Sequence, residues 1–384
     1  MNGGKHIGIL GGGQLGLMLA ESLARLDATV TVLDPAADAP AHGRVDELVV
    51  ASFTDQAKVD SVFTRCEKVT FDWENIPAAP LEKHAAKLLP SLSVLKTAQD
   101  RSKEKGFLSA NGFPCVRHQA LALGADPREA AKAFGLPCIL KSSLGGYDGK
   151  GQWSLTSEAD LAQLPAKVDA PHVLEERIAL STELSCIVAR GGGREVCFPV
   201  FENLHHEHVL DLTLVPARVD AKLLTQAQEV AKNIARALDV TGLITVEFFV
   251  GKGRDTGGRD ALYVNELAPR PHNSGHVTRQ ACGYSQFDAL ARVLTGAPLH
   301  EVKLHEGAFC MGNLLGEVWL AQGRDGGALD LSAWAQFPEV IDVFLYGKSS
   351  ARPKRKMGHY VVHAADAATA LSKARAFRDA LRKR

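Results

Sequence analysis

Several large classes of function are excluded by what this 384-residue chain lacks. Its seven cysteines (66, 115, 138, 186, 197, 282 and 310) are scattered and form no CxxC pair. They read as buried free thiols of a cytosolic protein, not as a disulfide or zinc framework. Net charge is absent too: 44 Lys plus Arg balance 44 Asp plus Glu, so no global field attracts nucleic acid or an anionic membrane. No apolar run approaches the roughly 20 residues that span a bilayer. Nothing near Met1–His6 resembles a signal peptide, because that segment leads straight into a strand, and the expected location is cytoplasmic. The full Gly-x4-Gly-Lys-Ser/Thr pattern is missing, so there is no Walker A loop. What remains is an ordinary globular composition, 46% hydrophobic and 23% charged, long enough for two or three domains.

The most informative stretch runs from Pro137 to Trp153. A short apolar strand ends on Lys141, and Gly145, Gly146, Gly149 and Gly151 follow, with Tyr147, Asp148 and Lys150 between them. Glycine lets consecutive backbone N–H groups converge on an oxyanion, since no Cβ restricts the dihedrals or the approach. Gln152–Thr156 then reads as a second strand, which makes the segment a hairpin lid. A glycine-rich surface turn is the competing reading of the loop alone. Lys141 and the partners below favour a polyphosphate.

The N-terminal segment alternates strand and helix. Ile7–Leu10, Thr29–Leu33, Glu47–Ala51 and Lys68–Phe71 read as parallel strands and Leu17–Leu26 as an apolar-striped helix, giving a small doubly wound α/β domain. Gly11-x-Gly13-x-x-Gly16 after the first strand, with Asp34 after the second, matches the dinucleotide fingerprint in context and spacing. The physics licenses less: an anion at a helix N-terminus. A nicotinamide oxidoreductase would also need a hydride-transfer half, and none is visible.

Arg101–Asn111 reads as a helix stopped by Gly112-Phe-Pro114, and Ala221–Leu238 as another. Leu243–Val250 and Ala261–Leu267 form a hairpin in which Glu247 and Glu266 each interrupt an apolar strand. Like charges on facing strands repel, so a cation between them is the economical explanation, and carboxylate plus polyphosphate oxygens suit Mg²⁺. The alternative is one solvent-facing glutamate on an amphipathic strand. The following loop, Pro269–His276, supplies Arg270, Asn273 and Ser274, donors that suit phosphate and ribose; zinc there would lack a third soft ligand. Asn203–His208 is histidine-rich, but an extended or turning segment scatters its side chains. The basic run Arg352–Lys356, preceded by Lys348, reads as a solvated face or an anion site for a phosphorylated small molecule; no aromatics interleave it as nucleic acid would require. The last helix spans Ala365–Arg384.

Taken together, the sequence resembles the ATP-grasp ligases, and among them the family of 5-(carboxyamino)imidazole ribonucleotide synthases. The matching pieces are Gly11–Met18, Phe71–Asn75, Gly145–Gln152, Asn265–Arg270, His272–His276 and Arg355–His359, in family order over nearly the whole chain. The resemblance implies a doubly wound pre-ATP-grasp domain over residues 1–97 and an ATP-grasp domain over 98–305 with a lid at about 113–180. A small β-rich C-terminal region on the substrate side would cover residues 306–384. It implies ATP bound by Arg101, Lys141 and the loop Gly145, Gly146, Tyr147, Asp148, Gly149, Lys150 and Gly151. Adenine would lie on the linker Glu175, Glu176, Arg177 and Ile178, with Glu183 on the ribose, and His205, Asn265 and Glu266 nearby. Mg²⁺ would sit on Glu247 and Glu266. Catalytic roles fall to Tyr147, Asp148, Lys150, Arg270 and Lys348, and the ribonucleotide to Gly13, Gln14, Leu15, Gly16, Asn273, Ser274, Arg355 and Lys356. The implied reaction carboxylates 5-aminoimidazole ribonucleotide with bicarbonate and ATP, through carboxyphosphate, in purine biosynthesis, and the implied assembly is a homodimer. A sister ATP-grasp ligase with a different acceptor, a nicotinamide oxidoreductase and a non-catalytic nucleotide-binding subunit are the alternatives. Glu247 and Glu266 argue against the last.

Overall fold

The computed structural model describes residues 4–146 and 151–383; the expected site residues Tyr147, Asp148, Gly149 and Lys150 lie outside them. The first four strands are β1 (His6–Leu10), β2 (Thr29–Asp34), β3 (Glu47–Val50) and β4 (Lys68–Phe71), all parallel in the order β3-β2-β1-β4. Their continuous apolar runs suit a parallel sheet covered on both faces. Helix Gln14–Ala24 buries Leu15, Leu17, Met18, Leu19 and Leu23 on one side, and helix Gln56–Arg65 buries Val59, Val62 and Phe63 on the other.

The second unit is an antiparallel sheet of β5 (His118–Leu121), β6 (Cys138–Ser142), β7 (Gln152–Leu155) and β8 (His172–Glu176), ordered β5-β8-β6-β7. β6 and β7 are the two arms of the lid hairpin, with Lys141 paired to Gln152.

The third unit is a nine-stranded sheet. It contains β9 (Ala179–Gly191), β10 (Arg194–Cys197), β11 (Phe201–His206), β12 (Val209–Val215), β13 (Gly242–Lys252), β14 (Ala261–Ala268), β15 (Ala308–Leu315), β16 (Val340–Leu345) and β17 (Lys356–Ala364). The path is β14-β13-β9-β11-β12-β15-β17-β16, with β10 attached to β9. The C-terminal segment does not build a sheet of its own: β15 pairs with β12 and extends the same sheet. Helix Ala221–Ala237, capped by the Asp220 side chain, covers one face; helix Ala367–Arg382, shorter than its expected span and capped by Asp366, covers the added strands.

One apolar cluster joins the units. It runs from Ile7, Ile9 and Val32 through Leu17 and Leu23 to Phe287, Leu290 and Ile187. Burial of that size, at about 25 cal/mol per Å², fixes the N-terminal domain against the large sheet. Among the described residues no helix is long and apolar enough to cross a membrane. All seven cysteines are free; five are buried, while Cys115 and Cys197 are partly exposed.

Candidate active site

A cavity of about 1260 Å³ opens where the three units meet. Its floor is the β13–β14 hairpin. Glu247 and Glu266 are direct cross-strand partners there, and a register shift falls between Glu247 and Phe248. Phe248 pairs with Val264, so Asn265 is the extra residue of a bulge, the device by which a strand re-aims side chains. Asn265 and Glu266 both line the cavity, and the Asn265 side-chain oxygen is buried without a partner. Burial raises both carboxyls, but the outcomes diverge. His272, whose Nε2 lies 3.1 Å from Glu247, brings Glu247 down to about 2 with help from His205 and Arg270. Glu266 is raised, chiefly by burial, against the pull of Arg101 3.6 Å away and with repulsion from Glu247 and Glu74 adding to it. A site that drives two facing carboxylates apart in acidity is one that a shared cation would relax. Among the described residues no cluster of three or more His, Cys, Asp or Glu is placed to hold a metal. Two carboxylates fit Mg²⁺, which takes phosphate oxygens and water in its other positions.

Opposite the floor lies the nucleotide side. Lys141, at the end of β6, donates to Glu175 Oε2 at 2.6 Å. Glu175 also faces Lys105 at 3.8 Å, and although burial alone would raise its carboxyl, these cations and Arg101 hold it at about 2. Burial in turn lowers the Lys141 ammonium, with Arg101 and Lys105 adding repulsion. Lys105 is fully buried and donates to the Asn265 carbonyl at 2.8 Å, tying helix Arg101–Ala110 to the bulge. That helix is capped by Asp100, whose side chain accepts from the Ser102 and Lys103 amides. Arg101 therefore enters the cavity from a fixed first turn. His205 Nδ1 and Glu183 stand 3.1 Å apart at the far end.

The third side belongs to the N-terminal domain. The Gly13 and Gly16 amides at the start of helix Gln14–Ala24 donate to Asp72 Oδ2 at 2.9 and 3.3 Å, and the Gly12 amide donates to Asp34 Oδ2 at 2.6 Å. The helix N-terminus is thus occupied by the chain's own carboxylates, and Asp34, which also lines the cavity, has one oxygen engaged by the Gly12 amide. This is the physical reason the dinucleotide fingerprint fails to make a dinucleotide site here. Burial, then repulsion from Asp34, raises Asp72 to about 7 against the pull of the two amides. Lys348 donates to Gln14 Oε1 at 2.9 Å and to the Lys356 carbonyl at 2.7 Å; burial and the neighbouring Arg355 and Lys356 lower it to about 8. Arg270 grips Glu74 in a two-pronged pair, with Nη2 to Oε1 at 2.8 Å. Asn273, 7% exposed, presents a side chain with neither polar atom paired.

The expected site residues mostly converge. Gly13, Gln14, Leu15, Arg101, Lys141, Gly146, Gly151, the Glu175–Ile178 linker, Glu183, His205, Glu247, Asn265, Glu266, Arg270, Asn273 and Lys356 all line the one cavity. Five do not. Gly145 lines a small recess beside it with Arg101 and Glu266. Gly16 faces Asp72, Lys348 reaches the wall through Gln14, and Arg355 bonds Ser350. Ser274 is fully buried behind His272, so it is no donor to a ligand; its position two residues past a wall residue placed it on the wrong side. Sequence reasoning missed Glu74, Asp72, Lys105 and the His272–Glu247 contact. Glu74 and Asp72 lay inside the Phe71–Asn75 motif without a role; Lys105 carried no signal, being one lysine in a helix of mixed charge.

Comparison with known proteins agrees with this geometry. The ribonucleotide synthetase preATP-grasp domain matches residues 4–99, the ATP-grasp domain residues 106–287 and the phosphoribosylaminoimidazole carboxylase C-terminal domain residues 310–373. N5-carboxyaminoimidazole ribonucleotide synthase of Staphylococcus aureus is 36% identical over 364 residues, covering 94% of this chain and 92% of that protein. The bifunctional purine synthesis protein purC/E of Dictyostelium discoideum is also 36% identical, over 93% of this chain, which spans only 37% of its length. A solved structure of N5-carboxyaminoimidazole synthase from Aspergillus clavatus, in complex with ADP and 5-aminoimidazole ribonucleotide, superposes with a TM-score of 0.85 at 30% identity, covering 99% of each chain. By sequence, domain order and fold, the chain belongs to the N5-carboxyaminoimidazole ribonucleotide synthase family of ATP-grasp ligases.

Proposed function

We infer that the protein carboxylates 5-aminoimidazole ribonucleotide with bicarbonate, converting ATP to ADP and phosphate. The observation that carries this reading is the meeting of Glu247 and Glu266 on one wall with Arg101 and Lys141 on another, in a cavity that also reaches Gln14, Asn273 and Arg270. The complex formed by the Aspergillus relative supports both ligand classes.

Bicarbonate is a poor electrophile. Its oxygen attacks the γ-phosphorus, the bond to ADP breaks, and the resulting carboxyphosphate carries phosphate as a leaving group. The substrate amine then attacks the carboxyl carbon, the C–O bond to phosphate breaks, and the amine loses a proton, for which we assign Asp148 as acceptor. Phosphoryl transfer mainly requires positioning and positive charge. Lys141 exchanges Glu175 for phosphate, and Arg101 holds the same group from its helix. Mg²⁺, held by Glu247 and Glu266, would neutralise charge on the polyphosphate. Arg270, kept in one orientation by Glu74, faces the carboxyphosphate, while Gln14, Lys348 and Lys356 receive the ribonucleotide phosphate. The hairpin lid bearing Gly146 and Gly151 closes the reaction from water. We assign the assembly as a homodimer and the location as cytoplasmic on the same family grounds.

The test is phosphate release with ATP and Mg²⁺, with bicarbonate and 5-aminoimidazole ribonucleotide each added or withheld. Carboxylated product formed only when both are present is expected. Release indifferent to bicarbonate would overturn the reading in favour of a sister ligase.

A further inference from the structure

Thr213, Asn203, Ser185 and Ser274 are buried polar residues among apolar neighbours that include Ile187, Phe201 and Met311. They are not isolated. Thr213 Oγ1 donates to Asn203 Oδ1 at 3.1 Å, and Asn203 Nδ2 donates to Ser185 Oγ at 2.9 Å. Ser185 Oγ lies 2.8 Å from Ser274 Oγ, which lies 2.8 Å from His272 Nδ1, and His272 Nε2 ends the row 3.1 Å from Glu247 Oε1. The register explains the alignment: Thr213 faces Asn203 across β12–β11, and Ser185 faces Glu247 across β9–β13. Cross-strand partners share a face, so the polar set forms one line over four strands, with Ser274 bridging from above.

The direction of each bond is determined. The Ser274 amide also donates to His272 Nδ1, at 3.3 Å, so Nδ1 presents its lone pair and Nε2 carries the proton toward Glu247. Ser274 Oγ must then donate to Nδ1, and Ser185 Oγ, which receives the Asn203 amide, donates to Ser274. Every donor points toward the Glu247 carboxylate, and hydrogen bonds aligned head to tail polarise one another. The His272 backbone is locked as well, its amide donating to Gln286 Oε1 at 2.9 Å and its carbonyl accepting from Gln286 Nε2 at 2.7 Å.

We propose that Thr213, Asn203, Ser185, Ser274 and His272 form a relay of positioning residues that fixes the orientation of the Glu247 carboxylate and leaves its other oxygen for a divalent cation. The inference rests on Glu247 being a Mg²⁺ ligand. A purely structural role would need the buried hydroxyls only to be satisfied; it would not need the row to end, uniformly directed, on that carboxylate.

The experiment measures ADP binding to the full-length protein by calorimetry, over a Mg²⁺ titration and in EDTA, with unfolding monitored for each variant. In Ser274→Ala the half-saturating Mg²⁺ concentration should rise about 10-fold, the lower end of what loss of a ligand's supporting partner costs. Affinity in EDTA should stay within about twofold, a difference of less than 0.5 kcal/mol. Thr213→Val should shift in the same direction by about 2- to 3-fold, a smaller effect expected of a partner five bonds removed from Glu247. Thr213→Ser, which keeps the hydroxyl, should match the parent. Equal losses with and without Mg²⁺, or a half-saturation unmoved in Ser274→Ala, would overturn the relay. If Ser274→Ala does not fold, the Thr213→Val and Thr213→Ser pair decides alone. Failure of the underlying assignment looks different: Mg²⁺ would then not tighten ADP in the parent, or Glu247→Gln would leave its effect intact.

Discussion

Gly11 and Gly16 stand in a turn that the protein fills with itself. A Cβ on Gly11, at φ +106°, would lie 1.7 Å from Asp72 Oδ1, and one on Gly16 would lie 2.3 Å from the Gly11 carbonyl. Gly145, at the near end of the lid loop, has a comparable positive φ of +70° but open space where a Cβ would be. Both turns follow a strand and both suggest an anion from their spacing. In the first, the amides are taken by Asp34 and Asp72; in the second, the neighbouring strand delivers Lys141. Glycine reports that the backbone needs freedom or room. What occupies that room is decided by residues elsewhere: Asp72 lies 56 positions beyond Gly16.

The sharpest way to break the contrast is to remove charge where a cation is expected. Glu266→Gln should lower phosphate release by about 100-fold or more, above the cost of losing a mere supporting partner, with the unfolding transition unchanged. Near-normal turnover at ordinary Mg²⁺ would mean that the β13–β14 wall is no more a ligand site than the Gly11–Gly16 turn.

Next in size is a matched pair of substitutions. Gly11→Ala combines left-handed strain with a collision against a buried carboxylate, together about 3 kcal/mol. Gly145→Ala meets strain alone, about 1 to 2 kcal/mol. Urea unfolding of both variants measures the gap; equal losses would show that the two turns are not packed differently.

Much of this was legible because strand periodicity and motif spacing are local. The four parallel strands, the lid hairpin and the facing glutamates of β13 and β14 all follow from alternation and from two charged residues that interrupt apolar runs. The bulge at Asn265 was not legible, since it depends on pairing register. Nor was the continuation of the large sheet through β15, which pairs with β12 across almost 100 residues of chain. Lys105 and Ser274 show the commonest limit: a polar side chain in a loop or helix says little about which way it faces.

The ribonucleotide side of the cavity should also respond to pH. Lys348, lowered to about 8, is charged below that value and neutral above it, so its attraction for a phosphate is lost as pH rises through it. kcat/KM for the ribonucleotide, which reports groups of the free enzyme, should fall about 10-fold between pH 8 and 9.5. Lys348→Arg should remove that alkaline limb. A limb that survives in the arginine variant would assign the titration to another group.

The smallest expected effect belongs to Asp34, and it tests the comparison at its base. Its carboxylate accepts from the Gly12 amide at 2.6 Å and from the Ala36 amide at 2.7 Å, so it shapes the turn. Asp34→Ala leaves those two amides to water, costing about 1 kcal/mol of stability. It removes the negative neighbour that helps raise Asp72, whose carboxyl should then titrate below its present value of about 7. ATP affinity should remain within about threefold of the parent, less than about 1 kcal/mol, because Arg101 and Lys141 lie on other elements. Calorimetry with ATP and a fluorescence titration with NADH on both proteins complete the test. Binding of NADH to the parent that disappears in Asp34→Ala would place Asp34 on a ribose after all, and would make the N-terminal turn a nucleotide site like the lid.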